Sequence, residues 1–144
     1  MDEADSRRLF AAARIAHLAT ADRAGRPHIV PVTFALSAAV LYTCVDAKPK
    51  STRRLRRLDN IRETGRVSLL VDWYEEDWDN LWWVRLDGAA SVVEGESDSG
   101  AAGLDALVAK YVQYQAVRPL GPVIVVTDLR WRGWSARPVA PGPG

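Results

Sequence analysis

The sequence predicts a mainly β domain, in which six antiparallel strands form a small β-barrel with two or three inserted helices. Short β-rich runs alternate with turn residues along most of the 144 residues, in the pattern of an antiparallel meander. Helical patterns are few, which argues against the regular strand–helix alternation of a doubly wound sheet. The length fits a single domain, which we place at residues 1–136. The tail 137–144 is rich in proline and glycine and is expected to be disordered.

The β-rich runs are separated by residues typical of turns. They are Ile15–Ala19, His28–Leu36, Val40–Val45, Arg66–Tyr74, Leu81–Val93 and Val123–Trp134. Pro31 lies inside the second run, which predicts an edge position or a bulge because proline cannot donate to a ladder. A short Ser-Ala turn joins the second and third runs and predicts a hairpin. Gly88 predicts a bend or a bulge in the fifth run.

Three segments have helical patterns: Asp2–Ala13, Ser51–Glu63 and a segment from about Ser97 to Tyr114. In the second helix, apolar residues recur every three positions at Leu55, Leu58 and Ile61. Ser51 or Thr52 is expected to cap its start and Gly65 its end. Ser97, Asp98 or Ser99 is expected to cap the third helix.

Composition and charge exclude several classes of protein. Apolar residues make up 48% and charged residues 26%, which is ordinary for a soluble globular chain. The single cysteine, Cys44, allows no internal disulfide, and its apolar strand predicts that it is buried and inert. No apolar run approaches the length of a membrane span, and no signal-peptide pattern is present. We therefore expect a cytoplasmic protein with no membrane partner.

The usual motifs for nucleotides, metals and nucleophiles are missing from the sequence. It has no GxGxxG, no Walker-type loop and no HExxH. The two histidines, His17 and His28, lie in predicted strands and are expected to be structural, so no metal site is predicted. With no catalytic residue identifiable, any reaction should depend on a cofactor. Tyr42 or a bound water is the candidate for a general acid.

The stretch Lys48–Arg57 (KPKSTRRLRR) has six basic residues in ten and no acid. Without these six, the chain has 13 basic against 18 acidic residues, whereas a duplex-binding domain is usually basic over a broad face. The stretch also lies at a helix start, where free N–H groups and the helix dipole favour anions. A phosphate or carboxylate site is therefore favoured over a solvated helix face, and both over a nucleic-acid patch.

Six tryptophans are the second unusual feature: Trp73, Trp78, Trp82, Trp83, Trp131 and Trp134. Tryptophan contributes strongly to cores and to interfaces, and its flat ring can also stack on a planar ligand. Because successive side chains of a strand point to opposite faces, Trp82 and Trp83 cannot both enter the core. One of them is available to a partner chain or a ligand.

The order of these elements resembles the split β-barrel flavin and deazaflavin family related to pyridoxamine 5′-phosphate oxidase. The segments LATADRAGRPHIVPV, LYTCVDAKPK, LRRLDNIRETGRVSLLVD, LWWVRLDGAASVVEG and RWRGW carry the resemblance from about Arg14 to Trp134. Within that family the chain is most similar to the actinobacterial F420-dependent oxidoreductase (PPOX-class) branch. The resemblance implies a six-stranded antiparallel split β-barrel of the FMN-binding type.

The resemblance also implies a homodimer with two cofactor sites at the subunit interface. The cofactor ring would lie against the strand at Ile29–Phe34, that is, against Val30, Pro31, Val32 and Thr33. Its phosphate would contact the strand-to-helix junction at Lys48, Lys50, Ser51 and Thr52. The position of the phosphate-binding residue in relatives points to Arg56 and Arg57, with Lys50 as a competitor. Trp82, Trp83 and Arg85 of the partner subunit, together with the terminal segment Trp131–Trp134, would form a lid or wall.

Three functional hypotheses follow from the sequence and the resemblance. The first is an F420-dependent oxidoreductase that transfers a hydride between reduced deazaflavin and a small organic acceptor, because F420 carries a phosphodiester and a polyglutamate tail that suit six cations. The second is an FMN-dependent oxidase or reductase on the same fold. The third is a cofactor-binding protein without turnover. Nucleic acid is not an expected partner.

Overall fold

A computed structural model of the chain describes residues 1–45 and 55–142. The helices are α1 (Glu3–Ala12), α2 (Arg56–Thr64), α3 (Asp98–Lys110) and α4 (Val112–Ala116), with a short 3-10 helix at Trp78–Asn80. The strands are β1 (Ala16–Ala21), β2 (Pro27–Val32), β3 (Ala35–Ser37), β4 (Val40–Cys44), β5 (Arg66–Trp73), β6 (Trp82–Val93) and β7 (Val123–Ser135).

The strands form one antiparallel sheet in the order β2-β1-β5-β6-β7-β4-β3. The structure describes seven strands, so the predicted count of six is wrong by one. The reason is that the run His28–Leu36 is interrupted at Thr33 and Phe34, which separate β2 from β3. The predicted hairpin is confirmed, because β3 and β4 pair directly.

The link between β2 and β3 shows that the sheet is strongly curled. These two strands lie at opposite edges of the sheet, yet only Thr33 and Phe34 separate them. Three consecutive residue steps span at most about 11 Å, so the two edges must meet within that distance. We call this link the seam. The curled antiparallel sheet confirms the predicted mainly β class and forms a half-barrel.

The edge position of β2 follows from its prolines. Pro27 and Pro31 have no N–H to donate, so they must occupy positions that are not hydrogen-bonded to β1. Ile29 lies midway between them and shares their orientation, because backbone direction alternates along a strand. Its N–H and C=O therefore point to the free edge, as do the two proline carbonyls. The prediction that Pro31 lies in an edge strand is confirmed.

The concave face of the sheet holds the main core, which α1 closes from one side. Phe10 of α1 is fully buried, with its ring centroid 5.0 Å from that of Phe34 and 5.4 Å from that of Trp131. Leu58 and Ile61 of α2 enter the same core, as the three-residue repeat predicts. The predicted burial of Cys44 is also confirmed, since it lies with Leu104, Leu107 and other residues in a second cluster under α3.

Helix α2 starts later than predicted. Its first residue is Arg56 and its N-cap residue is Leu55, in an extended conformation, whereas the predicted caps Ser51 and Thr52 lie outside the described residues. The C-terminal prediction is confirmed, because Gly65 adopts φ 67° and its N–H donates to the carbonyl of Ile61 at 2.8 Å. A left-handed residue at this position suits glycine, which has no Cβ to clash.

The third predicted helix is two helices in the structure. Ser97 is the N-cap of α3, and its hydroxyl accepts a hydrogen bond from the N–H of Gly100 at 3.0 Å, as predicted. The helix does not continue to Tyr114, however, because Tyr111 is extended (φ −115°, ψ 123°) and separates α3 from α4.

A β-bulge interrupts the pairing of β6 with β7 next to Gly88, as predicted. Asp87 pairs with Arg130 and Ala89 with Thr127, so β7 has one extra residue, and Asp128 takes the left-handed conformation at φ 54°. Over the described ranges, no helix is both long and apolar enough to cross a membrane.

Candidate functional site

The convex face of the sheet carries side chains from five neighbouring strands, β2, β1, β5, β6 and β7. We call it the outer face. Strand register aligns its residues in rows. One row is Pro31, His17, Leu70, Arg85 and Arg132, and the next is Ile29, Ala19, Ser68, Asp87 and Arg130. With strands about 4.8 Å apart, each row runs about 19 Å along the sheet surface.

A groove of about 1000 Å³ crosses the outer face. Ala19 and Ala21 of β1 leave room on its floor because their side chains are small. Its remaining lining comes from β1, β2, the end of α2, β5 and the bulged part of β6 and β7. These residues are Thr20, Pro27, Thr64, Gly65, Arg66, Val67, Ser68, Asp87, Gly88, Ala89, Asp128, Leu129 and Arg130. The groove is thus apolar beside β2 and charged beside β7.

One acidic side chain organises the polar end of the groove. The Asp87 carboxylate accepts a hydrogen bond from the Ser68 hydroxyl at 2.5 Å and pairs with the Arg85 guanidinium at 3.2 Å. Arg130 lies directly opposite Asp87 in the register but forms no ion pair with it.

Three arginines of the outer face have no ion pair with any described residue: Arg66, Arg130 and Arg132. All three are exposed. Arg132 also lies directly opposite Arg85, and like charges in that position of a sheet are destabilising. An anion on this face would relieve the repulsion and supply the missing partners.

The C-terminal end of α2 fixes the near wall of the groove. The N–H of Ala90 donates to the carbonyl of Gly65 at 2.9 Å, which ties the helix end to β6. Inside the barrel, the buried amide of Asn60 donates to the Thr20 hydroxyl at 3.0 Å. These contacts hold α2 against β1, so Thr64, Gly65 and Arg66 keep their positions at the groove.

The predicted ring-binding strand lies beside this groove. Of its four residues, Val32 is buried in the core and Val30 packs against it, so they can offer a ligand only backbone atoms. Pro31 is exposed on the outer face. Thr33 lies in the seam, half-buried, with its hydroxyl 2.8 Å from that of Tyr114.

Trp82 and Trp83 point to opposite faces of the sheet, as predicted. Trp82 packs against the core, whereas Trp83 lies on the outer face between Asp72 and Trp134 in the register. Trp134 is 46% exposed, while Trp131 points inward and packs against the core. The aromatic side of the outer face therefore consists of Trp83 and Trp134.

The basic stretch is only partly described. Lys48, Lys50, Ser51 and Thr52, the predicted phosphate contacts, lie outside the described residues. Arg56 and Arg57 form the first turn of α2, where Arg56 is exposed and Arg57 half-buried. At 1.5 Å per residue, they begin the helix about 13 Å from Gly65 at the groove.

His17, His28 and Tyr42, the residues considered for metal binding or acid catalysis, lie in structural positions. His17 and His28 lie in strands as predicted, and the buried Nδ1 of His28 has no hydrogen-bond partner in the described part of the chain. The Tyr42 ring packs against Gly103 of α3 rather than lining the groove. Within residues 1–45 and 55–142, no three histidine, cysteine or acidic side chains converge as a metal site would require.

Sequence reasoning missed the arginines of the outer face because it concentrated on the dense cluster at 48–57. A signal was present, since Arg130 and Arg132 alternate with Trp131 in a predicted strand and so share one face. The alignment of Arg132 with Arg85 and of Arg130 with Asp87 depends on the β6–β7 register, which the sequence did not specify.

An antiparallel half-barrel with an open edge strand and a groove on its convex face defines a split-barrel protein. The family model described as pyridoxamine 5′-phosphate oxidase matches residues 3–135, so the chain belongs to that family. The comparison with curated protein sequences gives no significant match.

Several solved structures share the fold. A conserved hypothetical protein of Mycobacterium tuberculosis has a TM-score of 0.72 and 22% identity, covering 100% of this chain and 93% of its own. The heme storage protein HutZ of Vibrio cholerae has a TM-score of 0.69 and 15% identity, covering 92% and 93%. An FAD-binding protein of Mesorhizobium loti has a TM-score of 0.65 and 18% identity, covering 92% of both chains. At these identities the likeness shows the fold alone.

Proposed function

We propose that the protein is a homodimeric oxidoreductase that binds an anionic deazaflavin or flavin on its outer face, with F420 as the first candidate and FMN as the alternative. One observation supports this most directly. Three arginines without ion pairs among the described residues lie on the same face as a groove that is apolar at its other side. A deazaflavin or flavin matches this arrangement, because it has a flat ring at one end and a charged tail at the other.

The residues present fit such a cofactor. Ile29 and Pro31 offer an apolar surface to a ring, and the free edge of β2 offers the N–H of Ile29 and three carbonyls. Arg66, Arg130 and Arg132 can hold phosphate or carboxylate groups, to which the guanidinium fork is well matched. Arg66 and Arg130 line the groove, and the other named side chains lie beside it on the same face. The polar and apolar contacts therefore come from opposite sides of the outer face, so they would fix the orientation of the ligand.

The distribution of cations favours F420 over FMN. One basic group lies on the outer face, and Arg56 and Arg57 lie at the start of α2, about 13 Å along the helix from Gly65 at the groove. A single FMN phosphate could contact only one of these groups. The phosphodiester and polyglutamate tail of F420 carry negative charges over a longer distance and could contact both.

A second copy of the chain would complete the site. Ile29 is 65% exposed and Trp134 is 46% exposed on the outer face, and apolar surface of this kind is typical of interfaces. Packing two outer faces together would cover these side chains and place Trp83 of the partner subunit over the ligand. The same packing would exclude water from the groove.

When bound, the reduced deazaflavin supplies a hydride, and the oxidised form accepts one. The residues of this chain bind and orient the cofactor through the groove and shield it from solvent. Of the two carboxylates in the groove lining, Asp87 is held by Ser68 and Arg85, whereas Asp128 is exposed to solvent.

Parallel titrations of the purified protein with F420, FMN and haem test this proposal. We expect F420 fluorescence to change on binding, with a dissociation constant that rises with salt because the contacts are ionic. Tight FMN binding with no F420 binding would overturn the choice of cofactor. Binding of haem alone would overturn the oxidoreductase proposal, and absence of all three would overturn cofactor binding.

Turnover separates the catalytic proposal from a binding protein without activity. With F420 bound, we expect oxidation of the reduced cofactor in the presence of one class among enones, quinones and biliverdin-like acceptors. Tight binding without oxidation by any acceptor would instead support a carrier or storage role on the same site.

A further inference from the structure

A half-buried lysine lies where α3 ends against the seam. Lys110 places its Nζ 3.6 Å from the centre of the Phe34 ring and 5.3 Å from that of the Tyr111 ring. Phe34 is fully buried and Tyr111 is 5% exposed, so the amine lies on an apolar surface. The Tyr111 hydroxyl fixes this surface, because it accepts from the N–H of Phe34 at 3.1 Å and lies 2.8 Å from the carbonyl oxygen of Arg14.

The Lys110 amine has a carbonyl and a second cation beside it. It donates to the carbonyl of Ala13 at 2.7 Å, and it forms no ion pair with a carboxylate in the described part of the chain. The second cation is Arg14, whose guanidinium lies 4.7 Å from the centre of the Tyr111 ring and donates to the carbonyl of Lys110 at 3.1 Å. Two positive charges thus flank one aromatic ring.

These surroundings favour the neutral amine. Burial removes water from the ammonium and the charge of Arg14 repels it, and together they lower the pKa of Lys110 to about 8. Tyr111 supplies no counter-charge, because burial raises the pKa of its phenol. Asp105 of the same helix pairs with Arg118 at 2.8 Å. A lysine that is desolvated and lies beside another cation is an activated nucleophile, since its neutral form has a free electron pair.

Arg14 also determines which electrophile suits this amine. Its side chain is exposed, and a guanidinium has five N–H donors, of which one bonds to the Lys110 carbonyl. The remaining donors match the oxygens of a phosphate group. A reagent that carries a phosphate next to a reactive carbonyl can therefore place the phosphate on Arg14 and the carbonyl carbon at Nζ of Lys110.

We propose that Lys110 is a modification site at which a small acyl phosphate acylates Nζ. The electron pair of the neutral amine forms a bond to the carbonyl carbon, and the bond from that carbon to the phosphate oxygen breaks. Phosphate leaves with that electron pair, and the nitrogen gives one proton to water. The amide product suits the site, because it keeps one N–H for the Ala13 carbonyl and loses the charge that Arg14 repels. Lys110 belongs to α3 and not to the outer face, so the proposal does not depend on the cofactor site.

Acetylation of the full-length protein by acetyl phosphate, followed by peptide mass spectrometry, tests this proposal. The chain has two other lysines, Lys48 and Lys50, which serve as internal references. At pH 7.5 an amine with a pKa of about 8 is about one quarter neutral, against about 0.1% for an ordinary lysine. A less basic amine is also a weaker nucleophile, so we expect Lys110 to react at least about 10-fold faster than either reference. Its rate should rise with pH and level off above a midpoint of about 8.

Two variants and a second reagent provide the controls. Arg14→Gln removes both the repulsion and the phosphate contact, so it should slow acetylation of Lys110 at pH 7.5 at least about 5-fold and move the midpoint upward. Arg118→Gln, at an exposed arginine that pairs with Asp105, should leave the rate unchanged. Acetic anhydride has no phosphate, so with this reagent Arg14→Gln should still move the midpoint but should slow the reaction less.

Specific outcomes would overturn the proposal. Acetylation of Lys110 no faster than that of Lys48 and Lys50, or a midpoint at about 10, would show an ordinary lysine. Preference for Lys110 with acetic anhydride but not with acetyl phosphate would show that acyl phosphates are the wrong reagent class. Wild-type rates in Arg14→Gln would contradict the phosphate contact. If Arg14→Gln does not fold, the wild-type pH profile and the comparison of the two reagents decide. None of these outcomes depends on whether F420 or FMN binds.

Discussion

At the scale of single residues, two cations that form no ion pair with any described carboxylate cap each other's helices. Arg14 donates to the carbonyl of Lys110 at the end of α3, at 3.1 Å, and Lys110 donates to the carbonyl of Ala13 after α1, at 2.7 Å. Cations at helix C-termini are favourable because of the helix dipole. The Lys110 ammonium also lies 3.6 Å from the centre of the Phe34 ring. Both cations therefore have a structural explanation, unlike the arginines of the outer face.

This packing makes stability depend on pH. Burial, together with the nearby charge of Arg14, lowers the pKa of Lys110 to about 8, against about 10.4 in an unfolded chain. Between these two values the unfolded chain binds more protons than the native one, so stability rises with pH. We expect the free energy of unfolding of the wild type to increase from pH 8 to 10 relative to Lys110→Met.

Chemical denaturation at several pH values measures this difference. Burial also raises the pKa of Tyr111, but Tyr111 is present in both proteins. If the free energies of unfolding of wild type and Lys110→Met change with pH in the same way, a lowered pKa for Lys110 would be contradicted.

At the scale of elements, the β6–β7 bulge shapes the polar end of the groove. A Cβ added to Gly88 would lie 2.6 Å from Cγ1 of Val126 and 2.8 Å from the carbonyl oxygen of Thr127. The second contact involves backbone, which cannot move aside as a side chain can. The close approach of β7 therefore requires glycine at position 88. The extra residue of β7 lies in the segment Asp128, Leu129 and Arg130, which lines the groove.

Gly88→Ala should destabilise the protein by about 1–3 kcal/mol, the usual cost of overpacking. Urea denaturation measures the loss. Val126→Ala removes one of the two close atoms, so the double variant should lose less than the sum of the single losses. A change below about 0.3 kcal/mol in Gly88→Ala would show that β7 can shift away.

Local patterns predicted most of the elements. Period-three apolar residues located α2, Pro31 marked the edge strand, Gly65 ended a helix and Gly88 marked the bulge. The seam and the break at Tyr111 could not be predicted in this way. Both depend on contacts between residues far apart in sequence, such as Tyr111 with Phe34, which override the helical tendency of a continuous segment.

At the scale of the whole molecule, the outer face combines three arginines that have no ion pair among the described residues with two exposed apolar side chains, Ile29 and Trp134. The sequence predicted an anion site, but it placed the site at Lys48–Arg57 from the local density of charge. The arginines from β5, β6 and β7 come together only through strand register. The expected phosphate contacts at 48, 50, 51 and 52 remain predictions, and Arg56 and Arg57 lie at the far end of α2 from the groove.

The outer face should also be the dimer interface. Ile29→Glu places a charge at its exposed apolar edge and should shift the protein from dimer to monomer in sedimentation velocity experiments. Leu120→Glu is the matched control, because Leu120 is 79% exposed but lies in the turn before β7. A wild-type monomer, or a dimer unaffected by Ile29→Glu, would contradict the proposed interface.

Anion binding by the outer face is tested most directly by titrating F420 into wild type and the double variant Arg130→Gln/Arg132→Gln. Arg118→Gln is the control, since Arg118 pairs with Asp105 of α3. Loss of two charge-assisted contacts should raise the dissociation constant at least about 10-fold and weaken its salt dependence, with Arg118→Gln unchanged. Equal affinities and equal salt dependence in all three proteins would contradict a cofactor site on this face.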